Sequence, residues 1–341
     1  MNQYWRWIGG TLLGLVVIGI LLPSPAQVVR EAVIDAHPAT IFALLNNFRQ
    51  INKWSPRTED DPNARVDLAG PPVGVGATLH WDGRIIGRGR QTIVESMPFV
   101  RVSSVVTSGD DTETTSTFTL VNEDGMTRVT WTYERDFGFN IAGKYFGLLL
   151  DGIVGPDYEQ DLVRLADLAE SLPRADFSDL EVEQIVVEAG DIAYLTTASQ
   201  PQAAAISEAM RESFFDILSF IDQHQLTEAG APLSITRTFS GSELVFDAAI
   251  PVRGITPATP RAGTTVKIGA TYEGPVIRVI HVGSYASLGR THDKIAAYLA
   301  ARGIRRNGDA WESYISDPSR TDESGLLTYI YYPIRTQPDR D

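Results

Sequence analysis

The chain has 341 residues, 43% hydrophobic and 21% charged, enough for two domains with ordinary cores. Its formal net charge of −14 argues against nucleic acid, which needs Lys and Arg against phosphate, and against docking on anionic lipid through a basic face. With no cysteine, disulfides, thiolate nucleophiles and Cys-ligated metals are excluded.

The N-terminus carries an uncharged run from Trp7 to Leu22, closed by Pro23. At helical rise its sixteen residues span about 24 Å, against about 30 Å of hydrocarbon. Tyr4, Trp5 and Trp7 suit a membrane interface and lengthen the segment. We read residues 1–27 as a membrane anchor: a single-pass transmembrane helix in the cell membrane, with the soluble domains outside the cytoplasm. A cleaved signal segment is the alternative, since Ser24-Pro25-Ala26 offers small residues for cleavage.

Beyond it, Val28–Asp35 reads as a strand and Pro38 opens a helix through Leu45. Gly74 and Gly76 mark a turn before the strand Ala77–Trp81. Further strands are expected over Gly87–Ser96, Arg101–Ser108, Thr114–Val121 and Thr127–Arg135, with a hairpin turn at Asn122-Glu123-Asp124-Gly125. Leu162, Leu165, Ala166 and Ala169 recur at helical spacing, which predicts a long helix from about Pro156 to Leu172. Arg84, Arg88 and Arg90 among glycines read as a basic edge strand, and Glu59-Asp60-Asp61-Pro62 as a solvated loop.

Val33-Ile34-Asp35-Ala36-His37-Pro38, Trp54-Ser55-Pro56, Thr127-Arg128-Val129-Thr130-Trp131 and Lys144-Tyr145-Phe146-Gly147 together resemble a START-like, polyketide-cyclase-type (SRPBCC) domain over residues 28–172. The resemblance implies a helix-grip fold, a curved sheet around its terminal helix, that binds hydrophobic ligands. Some relatives catalyse cyclisation or dehydration. Trp54, Trp81 and Trp131 read as core.

Residues 173–179 form a linker of turn-forming residues. An internal repeat follows. Gly230 and Gly308 lie 78 residues apart, Pro251 and Pro333 82, and each Pro closes a strand-like segment. The first copy predicts a strand at Glu183–Glu188, a helix over Ile206–His224 and strands at Ser234–Phe239 and Leu244–Val252. The second predicts a strand at Val276–His281, a helix over Leu288–Arg302 and strands at Glu312–Ile315 and Leu326–Pro333. The fold class is therefore α+β, with two βαββ units in the second half.

In the second copy Trp311-Glu312-Ser313-Tyr314 puts a carboxylate between aromatics, as a pocket for a cationic organic molecule needs. Counting from the glycines, Glu312 corresponds to Ser234 and Trp311 to Leu233. His281-Val282-Gly283-Ser284-Tyr285, Trp311–Pro318 and Thr328–Ile334 resemble the gyrase-inhibitor-like effector-binding domains also attached to AraC-type bacterial regulators, over residues 180–336. In that family the acid matching Glu312 lies in a ligand cleft between the repeats. The helix-turn-helix of such regulators is absent. We expect Glu312 on the floor of this cleft, walled by Trp311, Tyr314, Tyr285 and Tyr331. Strict alternation sets Glu312 and Tyr314 on one side of their strand and Trp311 on the other.

The five histidines lack metal-ligand spacing, and no nucleophile elbow or phosphate loop is present, so neither metal nor cofactor is expected. Three functions fit. One is a membrane-anchored protein that senses or sequesters small hydrophobic or cationic molecules through two pockets. Another is a hydrolase or cyclase with Glu312 as general base. The third is an interaction module that has lost its ligand.

Overall fold

In a computed structural model of the protein the described residues are 13–56, 59, 61–109, 112–260 and 265–335. They form two compact units with a boundary between Ser178 and Asp179, residues 296–303 grouping with the first.

The first unit runs β1 (Pro25–Ile34), α1 (Pro38–Leu45), α2 (Phe48–Ile51), β2 (Arg65–Ala69), β3 (Thr78–Asp82), β4 (Arg88–Met97), β5 (Arg101–Ser108), β6 (Thr112–Glu123), β7 (Met126–Asp136), α3 (Ile141–Gly147) and α4 (Leu150–Glu170). Its strands make one antiparallel sheet in the order β1-β7-β6-β5-β4-β3-β2. Asp124 and Gly125, both at positive φ, turn β6 into β7, which suits the twist of a tight hairpin. On α4 the apolar stripe Leu162, Leu165 and Ala169 is buried in the core with Ile34, Ile41, Leu79, Val129 and the tryptophans. Trp54, Trp81 and Trp131 are all buried; Trp131 stacks on Phe118 and Tyr158.

Some expectations need correction. The helix α4 begins at Leu150, and Pro156 lies inside it rather than at its start. The Arg88–Arg90 segment belongs to β4, which is interior to the sheet, between β3 and β5. Asp61 is buried and accepts the Ile85 amide at 2.7 Å, so it ties a loop together instead of facing solvent. The expected span Trp7–Leu22 lies partly outside the described residues. Residues 13–21 are helical, about 14 Å long, and among the described residues no helix is long and apolar enough to cross a membrane.

The second unit runs β8 (Val182–Val187), β9 (Asp191–Ser199), α5 (Ala203–Gln223), β10 (Thr227–Glu228), β11 (Leu233–Phe239), β12 (Leu244–Arg253), β13 (Lys267–Ala270), β14 (Gly274–Val282), a 3-10 turn (Tyr285–Ser287), α6 (Leu288–Arg302), β15 (Trp311–Tyr314) and β16 (Leu327–Pro333). The main path of its sheet is β13-β9-β12-β11-β15-β16-β14-β8, with β10 paired to β12. The path is symmetric about the β11–β15 seam. β9–α5–β11–β12 forms one half and β14–α6–β15–β16 the other, and each half takes its outer strand from the segment preceding the opposite half. The first strand of the first half is thus β9, which the sequence pattern missed. Glu183–Glu188 contributes to β8, the edge strand beside β14. Asp191, Ala193 and Ala198 of β9 are poor strand formers and dilute its strand signal.

Candidate functional site

The pleat of β15 splits its side chains between the two faces of the sheet. Trp311 is buried with Leu233, Ile235, Ile192, Ala249 and Val276, and stacks on Tyr331 with ring centres 4.8 Å apart. Trp311 and Tyr331, both expected as walls around Glu312, therefore lie on the opposite face. Cross-strand pairing explains it: they sit directly opposite each other, and that pair points away from the Glu312–Ile330 pair beside it.

On the other face Glu312 lies opposite Ser234 of β11 and Ile330 of β16. Ser234 is opposite Ala248 of β12, part of the surface on which α5 packs through Ile217, Phe220 and Ile221. Glu312 thus stands at the centre of the helix-covered face, where the two repeats meet.

Each oxygen of its carboxylate has a protein partner. His292 of α6 places Nε2 2.7 Å from Glu312 Oε1, and Tyr314 donates its hydroxyl to Oε2 at 2.5 Å. His292 Nδ1 lies 2.8 Å from the Tyr332 hydroxyl. A carboxylate only accepts, so Nε2–H donates to Glu312, and in the neutral ring Nδ1 accepts from Tyr332. The Tyr314 hydroxyl also lies 3.8 Å from the Met210 sulfur on α5. The Tyr285 ring meets Tyr314 edge-on at 5.3 Å. The turn carrying Tyr285 is held by His281, whose ring nitrogens lie 2.9 Å from the Thr291 hydroxyl and 3.1 Å from that of Ser287. The Thr328 hydroxyl, opposite Tyr314, is buried without a partner. Such an atom costs free energy until a ligand or water satisfies it.

The site is not sealed: the Glu312 side chain is 16% exposed and that of His292 25%. Burial, then the neighbouring Glu312 charge, pushes the Tyr314 hydroxyl well above the usual phenol range. Burial, with Asp317 and Glu312, raises Tyr285. Burial pushes Tyr332 up to about 12, with Arg306 opposing the rise and Glu312 adding to it. The three phenols are therefore neutral at physiological pH, and Tyr314 remains a donor to the one carboxylate among them. Among the described residues no group of three or more His, Asp or Glu could hold a metal.

Of the expected residues, then, Glu312, Tyr314 and Tyr285 come together. His292, Tyr332 and Ser234 join them and were missed. The signal for His292 was present: Leu288, His292, Ile295 and Leu299 follow helical spacing, which puts a histidine on the apolar stripe of α6.

Residues 25–170 match the family model described as polyketide cyclase / dehydrase and lipid transport. The match falls on the part whose motifs resemble a START-like domain, and the antiparallel sheet with its long terminal helix agrees with that fold. No curated protein matches the chain. Among solved structures, the crystal structure of the EcmrR C-terminal domain is 14% identical, covering 46% of this chain and 99% of that one, with a TM-score of 0.38. An uncharacterized conserved protein from Listeria innocua is 16% identical, covering 46% and 92%, with a TM-score of 0.35. The Aha1 dimer from Colwellia psychrerythraea is 18% identical, covering 42% and 96%, with a TM-score of 0.30.

Proposed function

We propose that this protein binds small organic molecules at a membrane, through two separate domains over residues 28–172 and 180–336. For the N-terminal domain, the matched family's description supports a hydrophobic ligand. For the C-terminal domain, the resemblance to effector-binding domains and the Glu312 cluster support an organic cation. The observation that carries this reading is a part-exposed carboxylate set among Tyr314, Tyr285 and Tyr332, all held neutral. The carboxylate supplies charge and the rings supply stacking and cation–π attraction, about 0.5–2 kcal/mol per ring. The uncharged run Trp7–Leu22 supports an anchor in the cell membrane, with both domains outside the cytoplasm. Equilibrium dialysis of the detergent-purified protein with tetraphenylphosphonium and with neutral triphenylphosphine oxide tests the cation preference. Tighter uptake of the cation is expected; equal uptake contradicts it.

A second reading rests on the hydrogen-bond chain Tyr332–His292–Glu312. Such a chain can orient an imidazole or carboxylate as a general base for a hydrolase or cyclase. It requires turnover of an electrophilic substrate that is lost in His292→Phe. Binding without turnover removes it.

A further inference from the structure

The segment between β7 and α4 is more apolar than an ordinary surface connection. From Phe137 to Leu150 it carries one charge, Lys144. Phe139 is fully exposed at 101%, and Phe146, Leu148, Leu149 and Ile153 are exposed as well. No residue of α3 is buried. Single exposed apolar residues need no account, but a cluster of this kind marks a contact surface.

The same segment is fastened to the N-terminal helix. The Lys144 ammonium donates to the carbonyls of Ile20 and Leu22, and the Tyr145 hydroxyl to that of Leu15 at 2.6 Å. Gly19 permits the approach: a Cβ there would lie 2.3 Å from the Ile141 side chain. From Leu15 to Leu21 the helix rises about 9 Å, so α3 lies beside its final turns. Residues 13–21 expose Leu15, Ile18, Ile20 and Leu21. One apolar surface thus continues from the helix onto α3 and the start of α4. Three of the charges around it are engaged: Lys144 on carbonyls, Asp151 with Arg30, and Asp136 with the Ser24 hydroxyl and the Gly138 amide.

We infer that Phe139, Phe146, Leu148, Leu149 and Ile153 form a second membrane contact, a wedge dipping into the interface of the bilayer that holds the N-terminal segment. This rests on the reading of Trp7–Leu22 as membrane-held. The depth matches: an interfacial helix sinks about 5–10 Å into the headgroup and acyl boundary. The one basic residue of the segment, Lys144, is held on backbone carbonyls, so the wedge takes a zwitterionic lipid surface and needs no anionic one. The wedge holds the N-terminal domain against the bilayer, where a hydrophobic ligand would enter or leave.

The absence of cysteine makes the test direct. Full-length Phe139→Cys, labelled with nitrobenzoxadiazole, is reconstituted into phosphatidylcholine vesicles, some carrying doxyl-labelled lipid. Val121→Cys, at an exposed position of β6, is the control; its neighbourhood near Arg128 lies about 27 Å along β7 from Asp136. The expected result is co-flotation with vesicles, with blue-shifted emission and doxyl quenching at position 139 but not at 121. Flotation with water-like emission at 139, or equal quenching at both positions, overturns the wedge while leaving the anchor standing. Failure to float overturns the anchor and the wedge together.

Discussion

The two repeats of the C-terminal unit share a topology and differ at its centre. Ser234 in the first corresponds to Glu312 in the second, and the seam places these two directly opposite each other. Leu233 corresponds to Trp311, and Ile250 to Tyr332. In each of the three pairs the first repeat keeps a small or purely aliphatic residue where the second has an acid or an aromatic. A symmetric fold supplies the seam, and the asymmetry of a few side chains supplies its chemistry. The first repeat brings Ser234 to the seam, and the second brings Glu312, Tyr314 and His292.

If the repeats are equivalent as scaffolds, matched core truncations should cost the same. Ile217 of α5 and Ile295 of α6 are both fully buried. Replacing either with Ala should destabilise the protein by about 2–5 kcal/mol in denaturant titration. A loss below about 1 kcal/mol at one position only would break the equivalence. Smaller effects should follow when the second repeat is made to resemble the first. Trp311→Leu removes the stacked ring behind the site and should cost roughly 1–3 kcal/mol. Because Trp311 lies on the far face, cation uptake should be unchanged; a large loss of binding would place Trp311 in the site after all.

Tyr332 gives the comparison a pH dependence. Its folded pKa, about 12, exceeds the ordinary 10.0, so the folded state holds the proton more tightly than the unfolded chain. That contribution is full below pH 10 and is lost as pH rises from 10 to about 12. It amounts to at most about 2–3 kcal/mol. Tyr332→Phe should flatten this part of the alkaline unfolding curve, as an aliphatic side chain does at Ile250. An unchanged curve would show that Tyr332 does not titrate with folding.

Much of this was legible in the residues. Alternation along β15 separates Glu312 and Tyr314 from Trp311, and the glycine and proline spacing reveals the duplication. Other features were hidden because they depend on pairing between distant strands. The position of Tyr331 follows from its place opposite Trp311, and the exchange of outer strands turns Glu183–Glu188 into an edge. His292 meets Glu312 only once α6 packs on the sheet. Pro156 misled because proline suits both the first turn of a helix and, at a cost, its interior.

The proposed role of Glu312 is to select the ligand by its charge. Its most direct test is calorimetric titration of wild type and Glu312→Gln with tetraphenylphosphonium and triphenylphosphine oxide. The substitution keeps the side chain's shape and removes its charge. Cation binding should weaken by about 10-fold or more, equivalent to about 1.4 kcal/mol, with the neutral compound nearly unaffected. Equal affinities of wild type and variant for the cation would contradict it.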